Sequence, residues 1–504
     1  MIVAYSPPWR STVMVLGCVL PVAALLGMIV GLGILPLTLL AAGGVAALFF
    51  LALPTPFILT TLLVVTFLFV GLGLYYLRID KLHWIPYAIA TALWLKLPVD
   101  ALRYARTAHR TASPPSLPLF VVALLCFFVV SITSCLVNET PLMNVLFGGK
   151  HYVLIWSVAF AIAAPSTSDQ HVRRTWLLLL ALAALQAPFA TLQHFMAFGA
   201  GKNWDAVVGT FGGDPEGSGG GSGHLALFLL MALGVVLSLG KDRLVSPFVT
   251  GVVIVAIVLS VLMAETKVFF FVAPVVIGIV LWHELRRRPL TAIAIATGGA
   301  LVLAGALVFY EKVYYDSVSE HATEADAGGV AKYLDYMFAT DAKVGYINDQ
   351  TGEVGRLETP LVWARDAAIG GAYGPLVGYG ITASRASPLI GIGKAQKHFA
   401  FELKTTLVSV LLWDTGILGT TAFVAMLGLL GWSCWRYARH PRIPPFERSL
   451  FTGATAAVAV AFASLMYNDG LLDAPTLQIT LAILLGFAWR WHRQLSLPAV
   501  TPAS

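Results

Sequence analysis

The side chains in this sequence that could do chemistry gather in two places. One is the short stretch Glu265-Thr266-Lys267 between two apolar runs, which carries both signs of charge. The other is a long polar segment, roughly Glu311 to Leu403, holding Gly355-Arg356, Trp363, Arg365-Asp366, Pro375-Leu376-Val377-Gly378-Tyr379-Gly380, Lys397-His398 and Glu402, with Lys404 just beyond it. Arginine offers a planar fork of donors that fits phosphate oxygens, and lysine a compact point charge. Arg356, Lys267, Arg365 and Lys404 at one face could therefore hold a diphosphate and neutralise charge that develops on it as a bond breaks. Glu402, His398 and Glu265 could accept or orient a hydroxyl proton. The plainer alternative for each is a solvated loop charge: an exposed Glu265–Lys267 pair contributes little stability, and a lone His398 needs no partner near neutral pH.

The elements that must position these groups are membrane spans. The 504 residues are 58% hydrophobic and only 12% charged, about half the charge of an ordinary soluble chain. Apolar stretches of about 20 residues, the length that crosses a hydrocarbon core of about 30 Å, recur from end to end. The candidate spans are 11–31, 33–53, 57–77, 84–99, 118–137, 151–166, 176–196, 223–240, 245–263, 267–284, 290–310, 405–433, 449–467 and 475–491. The expected fold is all-α, a polytopic transmembrane bundle of about 12–14 spans with one large, partly helical loop. Its segments are N-terminal spans (1–150), a transmembrane core (151–310), the loop (311–404) and C-terminal spans (405–504). The apolar run after Arg10 is longer than a signal-peptide core and reads as a retained first span.

The net charge of +6 does not indicate a nucleic-acid partner, because the cations are not interleaved with aromatics for base stacking. They mark alternate loops instead: Arg103, Arg106 and Arg110; Arg173 and Arg174; Lys241 and Arg243; Arg286 to Arg288; Arg436, Arg439, Arg442 and Arg448; Arg490 and Arg493. Basic loops face the cytoplasm, so both termini are expected there and the long loop on the extracytoplasmic side. The complementary loops are Asn138 to His151, Gly199 to His224, the turn at Glu265, the long loop, and Tyr467 to Pro475. Such a long loop is usually functional; within it Val330–Ala339 and Leu361–Ile369 are compatible with helix. The tract Gly212–Gly223 lacks the Gly-Lys-Ser/Thr ending of a phosphate-cradling loop. Cys18, Cys126, Cys135 and Cys434 lie in or beside apolar spans without metal-ligand spacing, as small apolar fillers. Lys96 and Asp414 are the charges that intrude into spans, and no internal repeat is visible, which disfavours a transporter built from inverted halves.

Gly355-Arg356, Trp363-Ala364 and Pro375-Leu376-Val377-Gly378-Tyr379-Gly380 together resemble the "GR…W…A…PLxGxG" loop segment of the bacterial O-antigen ligase and polymerase superfamily. Leu411-Leu412-Trp413-Asp414-Thr415-Gly416-Ile417-Leu418-Gly419 is similar to that family's "LLxExGLLG" span. Gly209-Thr210-Phe211 with His224-Leu225-Ala226 resembles its "GTF…NxxA" helix entry, and Glu265-Thr266-Lys267 stands where it carries an "SRG" turn. The matches are in order over roughly Tyr152 to Leu430. Two departures stand out: Lys267 replaces the arginine of that turn, and Thr405, eleven residues before Gly416, stands where the ligases carry histidine. His398 lies too early to fill that place. The variant turn looks more like the exopolysaccharide-polymerase branch.

The resemblance implies a GT-C-like glycosyltransferase of the bacterial inner membrane. It would take an undecaprenyl-diphosphate-linked glycan as donor and a glycan acceptor, with the lipid bilayer and other polysaccharide-assembly proteins as partners. Arg356 and Lys267 would stabilise the departing diphosphate, assisted by Lys404 or Arg365. Glu402, His398 or Glu265 would face the acceptor hydroxyl, and Gly378 and Gly380 would shape the substrate site. No metal and no other cofactor is implied. Within this class a ligase acting on lipid A core or on protein is the alternative to a polymerase. Outside it, a flippase or transporter would place paired charges deep within broken spans.

Overall fold

A computed structural model describes residues 50–107, 116–199, 206–213, 221–264, 266, 268–288, 290, 297–298, 305, 355–369, 371–387 and 390–496. The span expected at 11–31 and most of those at 33–53 and 290–310 fall outside the described residues, as do Glu265, Lys267, Cys18, Arg110 and the stretch Val330–Ala339.

The chain is helical nearly throughout. Its main helices are α1 (Thr55–Leu77), α2 (Ile85–Thr107), α3 (Leu119–Val137), α4 (Leu142–Ala163, with a 3-10 turn near its middle), α5 (Asp169–Gly199), α6 (Gly221–Lys241), α7 (Pro247–Met263), α8 (Val268–Val280), α9 (Glu358–Asp366), α10 (Leu407–Tyr437), α11 (Pro445–Ser464) and α12 (Pro475–Ser496). Two-residue strands β1 (Ala386–Ser387) and β2 (Gly391–Ile392) pair antiparallel. Among the described residues, seven helices are long and apolar enough to cross a membrane, and α7 and α8 are shorter apolar helices. Their outer faces carry large apolar side chains such as Phe69, Val129, Leu136, Phe195, Phe248 and Trp432, all more than half exposed. An apolar belt of this kind is untenable in water and at home against lipid. The protein is a membrane protein.

Eleven of the anticipated spans fall on helices. The largest boundary difference is at Asn138 to His151, expected as a loop: helix begins at Leu142, directly after Pro141. Proline ends the preceding turn, and the apolar run Leu142 to Phe147 then continues into the span. The centre of the bundle is α6, buried nearly all round, as expected for a helix apolar on every face. It crosses α11 closely where Gly234 meets Ala456 and Gly453 meets the Val235 backbone, since small residues let helix axes approach.

The two ends of the bundle differ in chemistry. At one end the basic connections are tied down by Arg173–Glu447 (2.5 Å), Arg490–Asp169 (2.7 Å) and Lys241–Glu284 (3.6 Å). Arg493 donates to the Ala163 carbonyl (2.8 Å). Lys96 is tied near the Thr55 end of α1, beside Asp100 (3.3 Å) and donating to the Leu51 carbonyl (3.1 Å). The opposite end gathers Asn138, His151, the segment from Gly355 to Lys404, and the turn between α11 and α12, described below.

A broken helix locks this second end. At Gly416 φ is 65° and ψ −168°, which interrupts α10, and Gly378 has φ 73° and ψ −165°. Only glycine adopts this region readily. The break lets the turn after Val377 dock into α10: Tyr379 N–H donates to the Trp413 carbonyl (2.8 Å) and Gly380 N–H to that of Asp414 (3.2 Å). Ser134 of α3 donates to the same Asp414 carbonyl (2.7 Å), and Asn138 to the Gly378 carbonyl (2.9 Å). Backbone groups freed by a break inside a bundle must find partners, and these do. A Cβ on Gly378 would collide with the Asp414 backbone. Gly378→Ala is expected to lower stability by about 1–3 kcal/mol from backbone strain alone, read as an earlier thermal unfolding transition in detergent. An unchanged transition would contradict the lock.

Candidate functional site

The site is built on the turn between α11 and α12. The N-terminus of α10 is held against it, with Leu407 N–H donating to the Asn468 carbonyl (3.2 Å). The carbonyl of Asp469 accepts from Leu472 N–H (2.9 Å) and Asp473 N–H (3.1 Å), closing one helical turn. Asp469 and Asp473 are thereby four residues apart and on one face.

Three other elements converge on Asp473. Arg385, next to β1, meets its Oδ2 through Nη1 at 2.5 Å. His151 of α4 faces its Oδ1 at 3.7 Å and is itself hydrogen-bonded to the Tyr87 hydroxyl of α2 at 3.1 Å. Gln478 of α12 donates to the His151 carbonyl. Lys150, buried beside His151, lies 3.8 Å from the centre of the Trp84 ring, a cation–π contact that partly replaces lost hydration.

A cavity of about 280 Å³ opens in front of the aspartates. Lys404, His224 of α6 and His83 line it with Asp469 and Asp473, and Thr66 and Val70 of α1 close another side. A second hollow, of about 370 Å³, runs along α1 and is lined by Phe69, Leu72, Tyr76, Leu82 and Ile85 among others. The two share Val70. The stretch Val65–Val70 that separates them is a π-helical segment within α1, a distortion found frequently at functional sites.

Charge is divided between the carboxylates. Burial first, and then the charge of Asp473, push Asp469 up to about 8, against the pull of Arg385 and Lys404. Burial alone would raise Asp473 as well, but the Arg385 guanidinium, and after it His151, outweigh that and hold its carboxyl below the usual carboxylate range. The pair thus shares one proton near neutral pH. On the other partner, burial works to lower Arg385, and the surrounding aspartates, Asp473 foremost, reverse that and raise it.

The anticipated site residues divide. Lys404 lines the cavity. Arg356 lies 4.3 Å from the centre of the Tyr467 ring, on the same α11–α12 turn. Thr359 of α9 joins this group, its hydroxyl 3.2 Å from that of Thr406. Glu402 is exposed, 4.0 Å from Lys404, in a solvated pair of little weight. His398 is exposed on a 3-10 turn, and Arg365 is 65% exposed beside its neighbour Asp366. Gly378 and Gly380 belong to the α10 lock. Glu265 and Lys267 lie outside the described residues; Thr266 between them is buried.

Sequence reasoning passed over Arg385, Asp469, Asp473, Lys150 and His151, and placed His224 only within a family string. Each sits in or beside a connection expected on the same face as the long loop. The one local signal was the i, i+4 spacing of Asp469 and Asp473 between two apolar spans. Among the described residues no three His, Cys, Asp or Glu side chains converge as metal ligands do. The arrangement can bind an anion through Lys404, and it sets a carboxylate with a raised proton affinity across from it. No protein-family model matches the chain, and no curated protein matches it either.

Proposed function

We propose that the protein is a membrane glycosyltransferase that uses a lipid-diphosphate-linked glycan, of the undecaprenyl type, and polymerises polysaccharide repeat units at the extracytoplasmic face of the bacterial inner membrane. The observation that carries this reading is the charged cavity and the apolar hollow that neighbour each other along α1, with Val70 lining both. A lipid-linked diphosphate is polar at its head and apolar in its tail, and these neighbouring spaces suit the two parts. Lys404 and Arg356 receive the diphosphate charge, with Lys267 as a further cation of the proposal. Cations placed there would stabilise the negative charge that develops on the departing diphosphate. The resemblance to O-antigen ligases and polymerases supports the same chemistry.

A flippase reading has less support. The charged cluster lies at the end of the bundle, formed largely by connections, and Lys96 is neutralised by Asp100 near the opposite end. Neither forms the midplane site that alternating access requires.

Removing Lys404 or Arg356 takes away one charge-assisted contact to phosphate, worth about 1.5–3 kcal/mol. Lys404→Ala and Arg356→Ala are each expected to slow polymer formation roughly ten- to hundred-fold at unchanged expression. The measurement is turnover of lipid-linked repeat units by protein reconstituted in lipid, with products sized on gels. If both variants build polymer at the wild-type rate, the site is misplaced. If the wild type moves a preformed chain to an acceptor without lengthening it, the reading becomes that of a ligase.

A further inference from the structure

The reaction proposed above needs a group to take the proton from the acceptor hydroxyl, and the structure offers one that differs from Glu402 and His398. Asp469 lines the cavity with Lys404, His224 and Asp473. Its neighbour Asp473 is engaged by Arg385 at 2.5 Å and faced by His151 at 3.7 Å. Asp469 is hydrogen-bonded to the Asp473 side chain, and no cation pairs with it within 4.0 Å among the described residues. A separate observation is a buried hydroxyl beside the same space. Thr66 lines the same cavity, is only 3% exposed, and its hydroxyl has no hydrogen-bond partner among the described residues. A buried hydroxyl without a partner costs free energy unless something polar meets it, and it sits on the π-helical stretch of α1.

We propose that Asp469 is the general base of the transfer, taking the proton from the acceptor sugar hydroxyl. This rests on the glycosyltransferase reading. In the step, the acceptor hydroxyl oxygen forms a bond to the anomeric carbon of the donor. The bond from that carbon to the diphosphate oxygen breaks, and its electron pair leaves with the lipid diphosphate beside Lys404. The hydroxyl proton passes to the Asp469 carboxylate and then to water. Donor and acceptor become the extended glycan, the lipid diphosphate and one proton.

Asp469 is faced by Asp473 from its own turn, Arg385 from the β1 segment, Lys404 from the approach to α10, His224 from α6 and His83 from the 3-10 turn before α2. Burial and Asp473 outweigh the cations and raise its proton affinity. A base must be deprotonated to act, so turnover climbs as pH rises through about 8 and levels above it.

The test compares wild type, Asp469→Asn and Asp469→Glu in lipid nanodiscs with a lipid-linked repeat unit. It reads kcat and donor KM from about pH 6 to about pH 9, with thermal unfolding as a folding control. Asp469→Asn is expected to lose roughly 100-fold in kcat, to keep the donor KM, and to lose the rising limb. Asp469→Glu recovers part of kcat and shows the limb displaced. The assignment is overturned if the Asn variant turns over like wild type, or if its residual activity keeps the limb at the same pH. Should the Asn variant fail to fold, a limb unmoved in the Glu variant overturns it equally. Absence of any turnover by folded wild type overturns the glycosyltransferase reading and this assignment with it; turnover by wild type and Asn variant alike removes the assignment alone.

Discussion

Asp414→Ala is expected to cost about 3–5 kcal/mol of stability, because it leaves three buried donors without their acceptor. Asp414 is fully buried in α10. One carboxylate oxygen accepts from the Tyr152 hydroxyl (2.8 Å) and Thr382 N–H (2.9 Å), and the other from Ser384 N–H (2.8 Å). Alanine would strand two backbone donors and a phenol where water cannot reach, at about 1–3 kcal/mol for each donor left unmade. Asp414→Asn keeps one accepting oxygen but turns an amide N–H₂ toward an existing donor, so an intermediate loss follows. Thermal unfolding in detergent, followed by intrinsic tryptophan fluorescence, measures both. A transition in Asp414→Ala as late as in wild type would show that the carboxylate does not hold the loop segment.

This anchor reaches the site through the chain. Thr382 and Ser384, which hold Asp414, lie within three residues of Arg385, which holds Asp473. Loss of the anchor therefore loosens Arg385 along with the Gly378 turn. Activity is expected to fall in step with the unfolding transition.

Much of the bundle was legible in the sequence because its signals are local. Apolar length and clustered arginines depend on neighbouring residues only. Accordingly the basic connections at Arg173, Lys241, Arg490 and Arg493 do lie together, tied by Glu447, Glu284, Asp169 and the Ala163 carbonyl. The site was less legible because its members come from separate loops. Arg385 meets Asp473 across 88 positions and Asp414 meets Tyr152 across 262, and no spacing rule joins residues so far apart. Asp414 itself stood out as a charge inside a span, which is the mark of a transport pathway as readily as of an anchor. Only the donors around it separate the two. Similarly, the strings around Gly378 and Gly416 were recognisable one at a time. Their shared purpose, two glycine-only conformations that let one backbone lie against the other, needed the third dimension.

Arg385→Gln is expected to be the other severe variant, at about 3 kcal/mol, toward the lower end for a broken buried pair because Asp473 keeps some exposure. Its pH dependence identifies the cause. In the wild type, Asp473 is held below its unfolded value of about 3.9. Its contribution is therefore fully present above that value and is lost as pH falls through the lower folded one. Asp469 is opposite in sign: its folded value of about 8 exceeds the unfolded one, so the folded state holds that proton more tightly. Stability declines on its account as pH rises from about 4 toward about 8. Without Arg385, burial governs Asp473 too, and its folded value moves above the unfolded one. The difference in unfolding temperature between wild type and Arg385→Gln should thus be widest near pH 8, where two uncompensated carboxylates face each other, and narrow toward pH 5 as both take up protons. Adding Asp473→Asn removes the charge that Arg385 neutralised, and the double variant should recover most of the loss. A gap that stays constant across this range would mean that Arg385 acts by packing its stem rather than by holding the charge of Asp473.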